Sequence, residues 1–349
     1  MFDEWRNYVP GEKPFTFEIN QTRLSVMICE DIWRPQGPVA NLKGEADVCL
    51  VLNGSPYEEG KNELRRAIAE RVATTQDVAL VYANLTGGQD DLVFDGDSFI
   101  LDNQGRQTTQ AEIFSEQTLI AENEKQDSTS LPSQLARNWD AIVLGLSDYV
   151  EKTNIPGLVL GLSGGIDSAV CAALAADAVG SDRVSGILMP SIYSSDSSLE
   201  DAKTLAENLG ISYAVAPITE MHESFQKSIE LSGLADENIQ SRIRALILMA
   251  DSNNSGRLLL STGNKSEISV GYSTIYGDSA GGYAPLKDVY KSSVYQLAGY
   301  RNQVSAVIPE SSITKPPSAE LRPDQHDQQS LPDYDVLDAM LKILIEGHG

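Results

Sequence analysis

The segment Gly161-Leu-Ser-Gly-Gly-Ile-Asp-Ser168 constrains the fold of this chain more than any other. It follows an apolar run over 158–162 that is typical of a buried strand, and it precedes an alanine-rich run that is typical of a helix. Two adjacent glycines let the backbone approach a phosphate closely, and the start of a helix favours negative charge. In a doubly wound sheet such a loop lies at the carboxyl end of a strand, where ligands bind. We therefore predict a site for the pyrophosphate part of ATP.

Strands and helices alternate after this loop, which predicts a parallel, doubly wound α/β sheet with right-handed crossovers. Further strands are expected over 184–189, 213–218 and 258–260, with helices near 135–152, 168–178, 197–209, 237–250 and 336–345. The first 125 residues predict a separate α/β layer, with strands over 24–29, 47–52 and 78–83, a helix over 62–75 and a hairpin near 98–105. The polar stretch 122–134 has the composition of a linker, so we expect one domain over 1–125 and a second over 126–349.

The chain has 349 residues and a formal net charge of −24, which argues against nonspecific binding to nucleic acid. An acidic surface that keeps the protein dissolved explains this charge without a functional role. No apolar run approaches the roughly 20 residues that span a bilayer, and the N-terminus lacks the features of a signal peptide. Three scattered cysteines and three scattered histidines predict neither a disulfide framework nor a zinc site. We expect a cytoplasmic protein that does not bind a membrane.

Asp167 is the acidic residue of the glycine loop, and it would repel phosphate unless a metal ion lay between them. Mg²⁺ bridges carboxylate and phosphate oxygens, so we predict that Asp167 is a Mg²⁺ ligand. The hydroxyls of Ser163 and Ser168 can donate hydrogen bonds to the same phosphate oxygens. The alternative is a turn that merely uses two glycines and an aspartate helix cap. The loop differs from a Walker loop, which has a lysine before its final serine or threonine.

The loop resembles the signature of the N-type ATP pyrophosphatases, which share an adenine nucleotide alpha hydrolase-like fold and adenylate a carbonyl or carboxylate. Later segments are similar in order and spacing to the glutamine-dependent NAD synthetases. These segments are Asn238-Ile-Gln-Ser-Arg-Ile-Arg244, Leu260-Ser-Thr-Gly-Asn-Lys-Ser-Glu267, Gly277-Asp-Ser-Ala-Gly-Gly-Tyr-Ala-Pro-Leu-Lys-Asp-Val-Tyr-Lys291 and Lys315-Pro-Pro-Ser-Ala-Glu-Leu-Arg-Pro323. The resemblance covers nearly the whole chain, and it implies that ATP and deamido-NAD are substrates.

The resemblance also implies roles for individual residues. Glu267 would complete the Mg²⁺ site with Asp167 and would face deamido-NAD, as would Asn238 and Arg242. Lys291 would act in catalysis by holding ATP phosphates in the transition state. The residues implied in ATP binding are Gly161, Leu162, Ser163, Gly164, Gly165, Ile166, Asp167, Ser168, Thr262, Lys291 and Ser318.

Several residues near these segments leave alternatives open. Lys265, Lys287 and Arg244 could each be a solvated surface charge without a functional role. Ile275 and Gly282 stand where the ammonia-only members of the family carry charged ligands for deamido-NAD. This departure favours the glutamine-dependent branch, or else weakens that part of the pocket.

Cys29 lies in a segment, Val26 to Trp33, that resembles the nucleophile strand of the nitrilase-type amidases. Those enzymes use a cysteine nucleophile, a glutamate base and a lysine that stabilises the oxyanion, so Cys29 would release ammonia from glutamine. A buried structural thiol is the alternative. The family's glutamate and lysine precede the nucleophile, and few residues precede Cys29 here, so we expect both to be missing. The chain also stops directly after its last predicted helix, so we expect it to be short at both ends. Glu30 is a poor substitute base, because neighbouring side chains on a strand point to opposite faces.

We therefore predict ATP-dependent amidation of deamido-NAD to NAD through an adenylated intermediate, with ammonia derived from glutamine in the intact enzyme. Mg²⁺ is the expected cofactor. A homo-oligomer is also expected, because the family completes its deamido-NAD pocket with a partner subunit. The nearest alternative is another N-type pyrophosphatase, such as a GMP synthetase-like amidotransferase or a tRNA-modifying adenylase. A carbon–nitrogen hydrolase whose second domain only binds nucleotide, or a chain that binds ATP and does nothing further, would also fit.

Overall fold

A computed structural model describes residues 6–9, 11–120 and 131–347 of the chain. The chain divides into two compact units, Met1–Asp148 and Tyr149–Gly349. The predicted domain boundary at 125/126 and most of the predicted linker lie outside the described residues. Helix α2, the second in chain order, is Gln134–Lys152, so it spans the residue at which the two units divide.

The first unit contains a mixed sheet and one long helix. Its elements are strands β1 Phe15–Ile19, β2 Thr22–Ile28 and β3 Val48–Asn53, helix α1 Lys61–Gln76, and strands β4 Ala79–Asn84, β5 Thr86–Gln89, β6 Leu92–Asp95, β7 Phe99–Leu101 and β8 Gln107–Gln110. The main sheet has the order β1-β2-β3-β4-β7-β8, and its central strands β2, β3 and β4 are parallel. Strands β5 and β6 form a separate antiparallel pair. The predicted α/β layer, its helix and its hairpin all lie where the sequence places them.

Helix α1 packs one face onto this sheet, because its buried residues recur at spacings of three and four. Two of them, Asn62 and Arg65, are polar, and both reach Asp95, the last residue of β6. Arg65 and Asp95 form a buried ion pair at 2.8 Å, with side-chain exposures of 1% and 0%. Arg65 also donates to the carbonyl oxygen of Ser55 at 2.7 Å, and Asn62 donates to Asp95 at 2.8 Å. This network fixes the loop after β3 against the helix.

The second unit contains a parallel sheet with helices around it. Its elements are β9 Leu158–Gly161, α3 Ile166–Val179, β10 Val184–Leu188, α4 Asp196–Leu209, β11 Ser212–Val215, α5 Thr219–Ser228, α6 Leu234–Ser255, β12 Leu258–Leu259, α7 Lys265–Val270, α8 Lys291–Val304, α9 Glu310–Thr314 and α10 Tyr334–Glu346. The first three residues of β9, Leu158 to Leu160, are buried, as their uninterrupted apolar sequence predicts for the centre of a parallel sheet. The predicted doubly wound sheet is confirmed.

The order of this sheet, β11-β10-β9-β12, places a topological switch point beside β9. The chain runs outward from β9 through β10 to β11, and then returns to pair β12 in parallel on the other side of β9. In sheets of this kind the crevice at the switch point, beyond the carboxyl ends of the strands, binds ligands. The glycine loop after β9 and the segment after β12 both open into that crevice.

Helix α3 follows the glycine loop and is buried from Ile166 to Ala175 except at Asp167, which explains its alanine-rich sequence. It packs against β9, β10, α4 and α8, so nearly every face of the helix is covered. Small side chains let these elements approach it closely. Among the described residues, no helix is long and apolar enough to cross a membrane.

Candidate active site

A cavity of about 590 Å³ lies within the second unit, at the carboxyl ends of β9, β10 and β12. Twelve of the residues predicted from the sequence line it. They are Gly161, Leu162, Ser163, Gly165, Ile166, Asp167, Ser168, Asn238, Thr262, Glu267, Lys291 and Ser318. The structure therefore brings together residues from five separate segments of the sequence. Gly164 and Arg242 are not part of the cavity wall.

Gly164 has a structural role that only glycine can fill. Its φ is +79°, in the left-handed region that side chains disfavour. A Cβ at this position would also overlap the carbonyl oxygen of Ser198, in the first turn of α4. The loop can therefore pack against α4 and turn towards the cavity only because residue 164 lacks a side chain.

The serines of the loop hold its shape. Ser163 Oγ accepts a hydrogen bond from the Gly165 N–H at 3.1 Å and lies 3.0 Å from Ser168 Oγ. Ser168 Oγ in turn donates to the carbonyl oxygen of Gly165 at 3.0 Å. From outside the loop, Ser312 Oγ donates to the carbonyl oxygen of Gly164 at 2.9 Å. These bonds fix the turn that precedes the first N–H groups of α3.

Asn264 connects the two acidic residues that the sequence predicts as metal ligands. Its side-chain oxygen caps α7 by accepting from the Glu267 N–H at 3.0 Å. Its side-chain nitrogen donates to Asp167 Oδ1 at 2.9 Å. Because this fully buried amide makes both bonds, it sets where α7 stands relative to the glycine loop.

Lys291 lies between these two carboxylates. Its ammonium group donates to Asp167 Oδ2, and also to Glu267 Oε1 at 3.2 Å, while its side chain is only 2% exposed. Burial lowers the pKa of Lys291, but the charges of Asp167 and Glu267 more than compensate and leave the pKa above its ordinary value. Burial and then the charge of Asp167 raise the pKa of Glu267 to about 7, despite the nearby ammonium. The cluster thus gathers one cation and two carboxyl groups in a confined space.

The chemistry of this cluster suits a magnesium ion that also binds substrate phosphates. Mg²⁺ usually takes one or two carboxylates and completes its shell with phosphate oxygens and water. Asp167 and Glu267 converge on one point, which Lys291 reaches from α8, so their oxygens can serve a cation placed there. Among the described residues there is no group of three or more His, Cys, Asp or Glu side chains that could hold a metal without such help.

Arg244 is not the solvated surface charge that the sequence left possible. It lines the cavity, and its Nε donates to the carbonyl oxygen of Met189, at the end of β10, at 3.1 Å. Burial lowers the pKa of Arg244 to about 10. Lys265 is paired as well, with Glu346 at 2.9 Å. Lys287 lies on the surface.

Helix α6 presents one stripe to the cavity, with the spacing of three and four residues expected of a helix. The stripe consists of Leu234, Glu237, Asn238, Ser241, Arg244, Ala245 and Leu248. Asn238 accepts a hydrogen bond from Thr274 Oγ1 at 2.8 Å, which ties the helix to the segment before Gly277. Arg242 lies beside the stripe, and its Nε donates to the carbonyl oxygen of Ile275 at 3.2 Å. Its predicted contact with deamido-NAD stays a prediction.

The two positions that depart from the ammonia-only pattern differ in their surroundings. Ile275 is exposed, with 66% of its surface accessible. Gly282 follows the glycine-rich turn beside β12, and a Cβ there would lie 2.5 Å from the side chain of Leu258. A charged side chain at 282 would therefore require Leu258 to move.

The segment that carries Ser318 is fastened to the start of α4. Ser318 Oγ accepts from the Glu320 N–H at 3.1 Å, and the Glu320 carboxylate accepts from Ser198 Oγ at 2.8 Å. Lys315 Nζ also donates to Ser198 Oγ, at 3.0 Å. Since the carbonyl of Ser198 abuts Gly164, the glycine loop and this segment share one support.

In the first unit, the structure corrects the predicted setting of Cys29. Strand β2 ends at Ile28, and Cys29 begins a 3₁₀ turn, Cys29–Ile32, with a φ of +42°. Asp31 holds the turn by accepting from the Ile28 N–H at 2.8 Å. The prediction that Glu30 points to the opposite face of a strand is therefore wrong, because neither residue is in the strand. A positive φ at a half-buried cysteine just after a strand is uncommon, and such conformations concentrate at functional sites.

Several residues in or beside the cavity were given no functional role from the sequence. Asn264 joins Asp167 to α7, and Arg244 places a guanidinium group in the cavity wall. Asp327 and Tyr272 also line the cavity and share a hydrogen bond of 3.3 Å. Of these, only Asn264 carried a local signal, since a helix-capping residue followed three positions later by glutamate marks a helix start.

Two family models match the chain in succession. The carbon–nitrogen hydrolase family matches residues 2–132, and the NAD synthase family matches residues 138–349. The second match includes the whole of the cavity described above.

Individual relatives match across both parts. The glutamine-dependent NAD(+) synthetase of Acinetobacter baylyi is 45% identical, over 99% of this chain and 67% of its own length. That of Aquifex aeolicus is 44% identical, over 99% of this chain and 69% of its own length. The solved glutamine-dependent NAD+ synthetase of Acinetobacter baumannii, in complex with ADP, has a TM-score of 0.86 at 42% identity, over 99% of this chain and 66% of that one. The chain thus spans about two thirds of the length of these relatives, and it belongs to the glutamine-dependent NAD(+) synthetase family.

Proposed function

We propose that this chain amidates deamido-NAD to NAD with ATP, and that it releases AMP and pyrophosphate. The observation that carries the proposal is the convergence of the glycine loop, Asp167, Glu267 and Lys291 on one cavity. A site with phosphate-binding backbone, two carboxyl groups and one buried cation suits a reaction in which pyrophosphate departs. The NAD synthase family match supports this substrate over that of a GMP synthetase-like enzyme. It also disfavours a hydrolase whose second unit merely binds nucleotide.

The reaction has two steps, because a carboxylate is a poor electrophile. An oxygen of the nicotinate carboxylate attacks the α-phosphorus of ATP, and the bond from that phosphorus to the bridging oxygen breaks. Pyrophosphate leaves with the electron pair. Ammonia then attacks the acyl carbon, the carbon–oxygen bond to AMP breaks, and one proton leaves the nitrogen.

The residues of the cavity divide this work. The loop from Gly161 to Ser168 would receive the phosphates on its N–H groups and at the start of α3. Lys291 would offset the charge that grows on the departing pyrophosphate, and its raised pKa keeps it protonated at neutral pH. Arg244 would add a second cation to the cavity wall, near the end of β10.

Magnesium, when bound by Asp167 and Glu267, would neutralise phosphate charge and orient the phosphates for displacement. Thr262 and Ser318 line the same cavity, and we propose that they contact the adenosine and the phosphates respectively. Asn238 and Arg242 are the residues proposed to face deamido-NAD. A homo-oligomer and a cytoplasmic location complete the proposal.

The source of ammonia is proposed to be glutamine, with Cys29 as the thiolate nucleophile of the carbon–nitrogen hydrolase part. We place the end of that part near residue 125. The sharp turn at Cys29 supports this role, because it directs the side chain away from the register of β2. Comparing glutamine with ammonium as nitrogen donor, in the chain and in Cys29→Ala, separates this step from the synthetase reaction. Cys29→Ala should lose any activity with glutamine and keep the activity with ammonium.

Pyrophosphate release measures the main proposal directly. The purified chain is supplied with MgATP and ammonium, and with deamido-NAD, xanthosine monophosphate or no acceptor. Only deamido-NAD should raise the rate, and NAD should form in equal amount. Lys291→Met should lower kcat by about 10²–10³-fold, the range for a group that stabilises transition-state charge. Lys227→Met removes an exposed lysine of α5 and serves as the control. Equal rates with and without deamido-NAD would overturn the proposal.

A further inference from the structure

Asp338, on helix α10, is a buried carboxylate that lies outside the cavity. It is 2% exposed, and among the described residues no Lys, Arg or His side chain pairs with it. Its two oxygens accept from the Ser292 N–H at 2.8 Å and from the hydroxyl of Ser266. A buried charge is costly unless it is well bonded. The burial of Asp338 therefore indicates that its hydrogen bonds have a role in the structure or in the reaction.

The bonds of Asp338 converge on the first turn of α8. The helix starts at Lys291, and the residue before it, Tyr290, makes no side-chain capping bond. Asp338 supplies the cap instead, because it accepts from the second N–H of the helix directly. The first N–H, that of Lys291, donates to Ser266 Oγ at 2.9 Å, and the Ser266 hydroxyl in turn donates a hydrogen bond to Asp338. A carboxylate at this position also complements the positive end of the helix.

The same bonds join α8 to α7. Ser266 stands next to Glu267, in the first turn of α7, and it is fully buried. Through Ser266, Asp338 therefore holds the backbone of Lys291 at a fixed distance from the backbone of Glu267. One turn earlier on α10, the ring of Tyr334 lies 5.3 Å from Lys291 Nζ. Helix α10 thus contacts the ammonium end of this lysine through Tyr334, and it bonds the start of α8 through Asp338.

We propose that Asp338 is a positioning residue for Lys291, which fixes the start of α8 so that the ammonium group reaches the departing pyrophosphate. The inference rests on the proposed function of Lys291. Without this cap the Ser292 N–H loses its acceptor and Ser266 Oγ loses the bond that orients it, so the ammonium group is no longer held at the distance from Glu267 that the structure shows. Asp338 acts through the backbone and does not touch the substrate.

Asp338→Asn tests the proposal, because it keeps the shape and removes one of the two acceptor oxygens. We expect kcat for pyrophosphate release to fall about tenfold, the effect of losing one hydrogen bond to a charged group, while KM for ATP changes little. Leu341→Ala is the matched control, since it loosens the same helix from the same side without touching Asp338. It should lower the melting temperature and leave kcat unchanged.

A second measurement does not depend on the reaction. Reductive methylation of lysines, quantified by mass spectrometry, reports how well Lys291 is shielded. Lys291 should be methylated slowly in the wild type and in Leu341→Ala, and several-fold faster in Asp338→Asn. If deamido-NAD fails as substrate but the methylation rates differ in this way, the proposed function is wrong and the positioning role stands.

Ser266→Ala carries the same prediction should Asp338→Asn not fold. It removes only the hydroxyl between Lys291 and Asp338, and the Ser292 bond remains, so the loss of kcat should be smaller than for Asp338→Asn. Combining the two changes should lower kcat further than Asp338→Asn alone, because Ser266→Ala also removes the acceptor of the Lys291 N–H. A folded Asp338→Asn with wild-type kcat and wild-type shielding of Lys291 would overturn the inference.

Discussion

Asn264 donates a hydrogen bond of 2.9 Å from its side-chain nitrogen to Asp167, while the oxygen of the same amide caps helix α7. The glycine loop and the helix that carries Glu267 are therefore aligned by one side chain. An amide is the group suited to this task, because it offers a donor to a carboxylate and an acceptor to a backbone N–H.

Asn264→Asp should separate these two functions. The carboxylate keeps the helix cap, but it replaces the donor with an oxygen that repels Asp167. We expect kcat for pyrophosphate release to fall about 10- to 100-fold, with a smaller effect on the melting temperature. Asn208→Asp is the control, since Asn208 donates to the backbone of Val307 outside the cavity wall. A full-rate Asn264→Asp would show that the alignment of Asp167 does not matter.

Gly164→Ala should damage the loop more than its backbone strain alone explains. Gly164 and Gly210 both have positive φ, +79° and +67°. A Cβ at 210 meets nothing within 4 Å, whereas a Cβ at 164 overlaps the backbone of Ser198. Gly210→Ala should therefore cost about 1–2 kcal/mol of unfolding free energy and leave activity intact. Gly164→Ala should lose both ATP binding and more stability, which thermal unfolding and a nucleotide titration would measure.

The buried pair Arg65–Asp95 should dominate the stability of the first unit. Asp95→Asn leaves the Arg65 guanidinium without a counter-charge in a site of 1% exposure, so we expect a loss of about 3–5 kcal/mol in unfolding free energy. Asp47→Asn provides the contrast, because the Arg23–Asp47 pair is exposed on both sides and should matter little. Chemical denaturation of the two variants compares these effects. Equal losses would contradict the assignment.

Cys49 should make the chain lose stability in alkaline solution. Burial raises the pKa of its thiol from 9.0 to about 12. Between these values the unfolded chain has lost the proton and the folded chain has kept it, so stability falls as pH rises. The wild type should lose up to about 1.4 kcal/mol more per pH unit than Cys49→Ala in this window. Val51→Ala, on the same strand, is the control. Its free energy of unfolding should differ from that of the wild type by the same amount at every pH. Urea unfolding from about pH 8 to about pH 11 measures the slopes.

Local features of the fold could be predicted because each depends on neighbouring residues. The strand, the two glycines and the apolar helix around Gly164 lie within a short segment, and they define the loop. The cap at Asn264 was equally accessible, since the spacing from Asn264 to Glu267 is the usual signature of a helix start. The capping pattern by itself therefore identifies this residue.

Other features could not be predicted because they depend on long-range packing. Nothing in the sequence around Asp338 or Lys291 indicates that their helices meet there, since the bonded residues Ser292 and Asp338 are 46 residues apart along the chain. The turn at Cys29 could not be predicted from the sequence for a different reason. Its apolar neighbours continue the pattern of β2, and the interruption comes from the side chain of Asp31. The sequence pattern also could not separate Arg244 from Arg242, which differ only in whether their side of α6 faces the cavity.

The arrangement of strands around β9 determines which contacts of the site can form first during folding. Asp167 and Asn264 are separated by 97 residues, and Asp167 and Lys291 by 124, so the closure of long loops must precede their contacts. The hydrogen bonds among Ser163, Gly165 and Ser168 are local and can form early, whereas the supports from Ser198 and Ser312 come later. A nascent chain could therefore present the loop before the lysine and the second carboxylate arrive. If such an intermediate bound ATP, the site would still lack Lys291 and Glu267. Incompletely folded molecules would therefore not cleave the ATP.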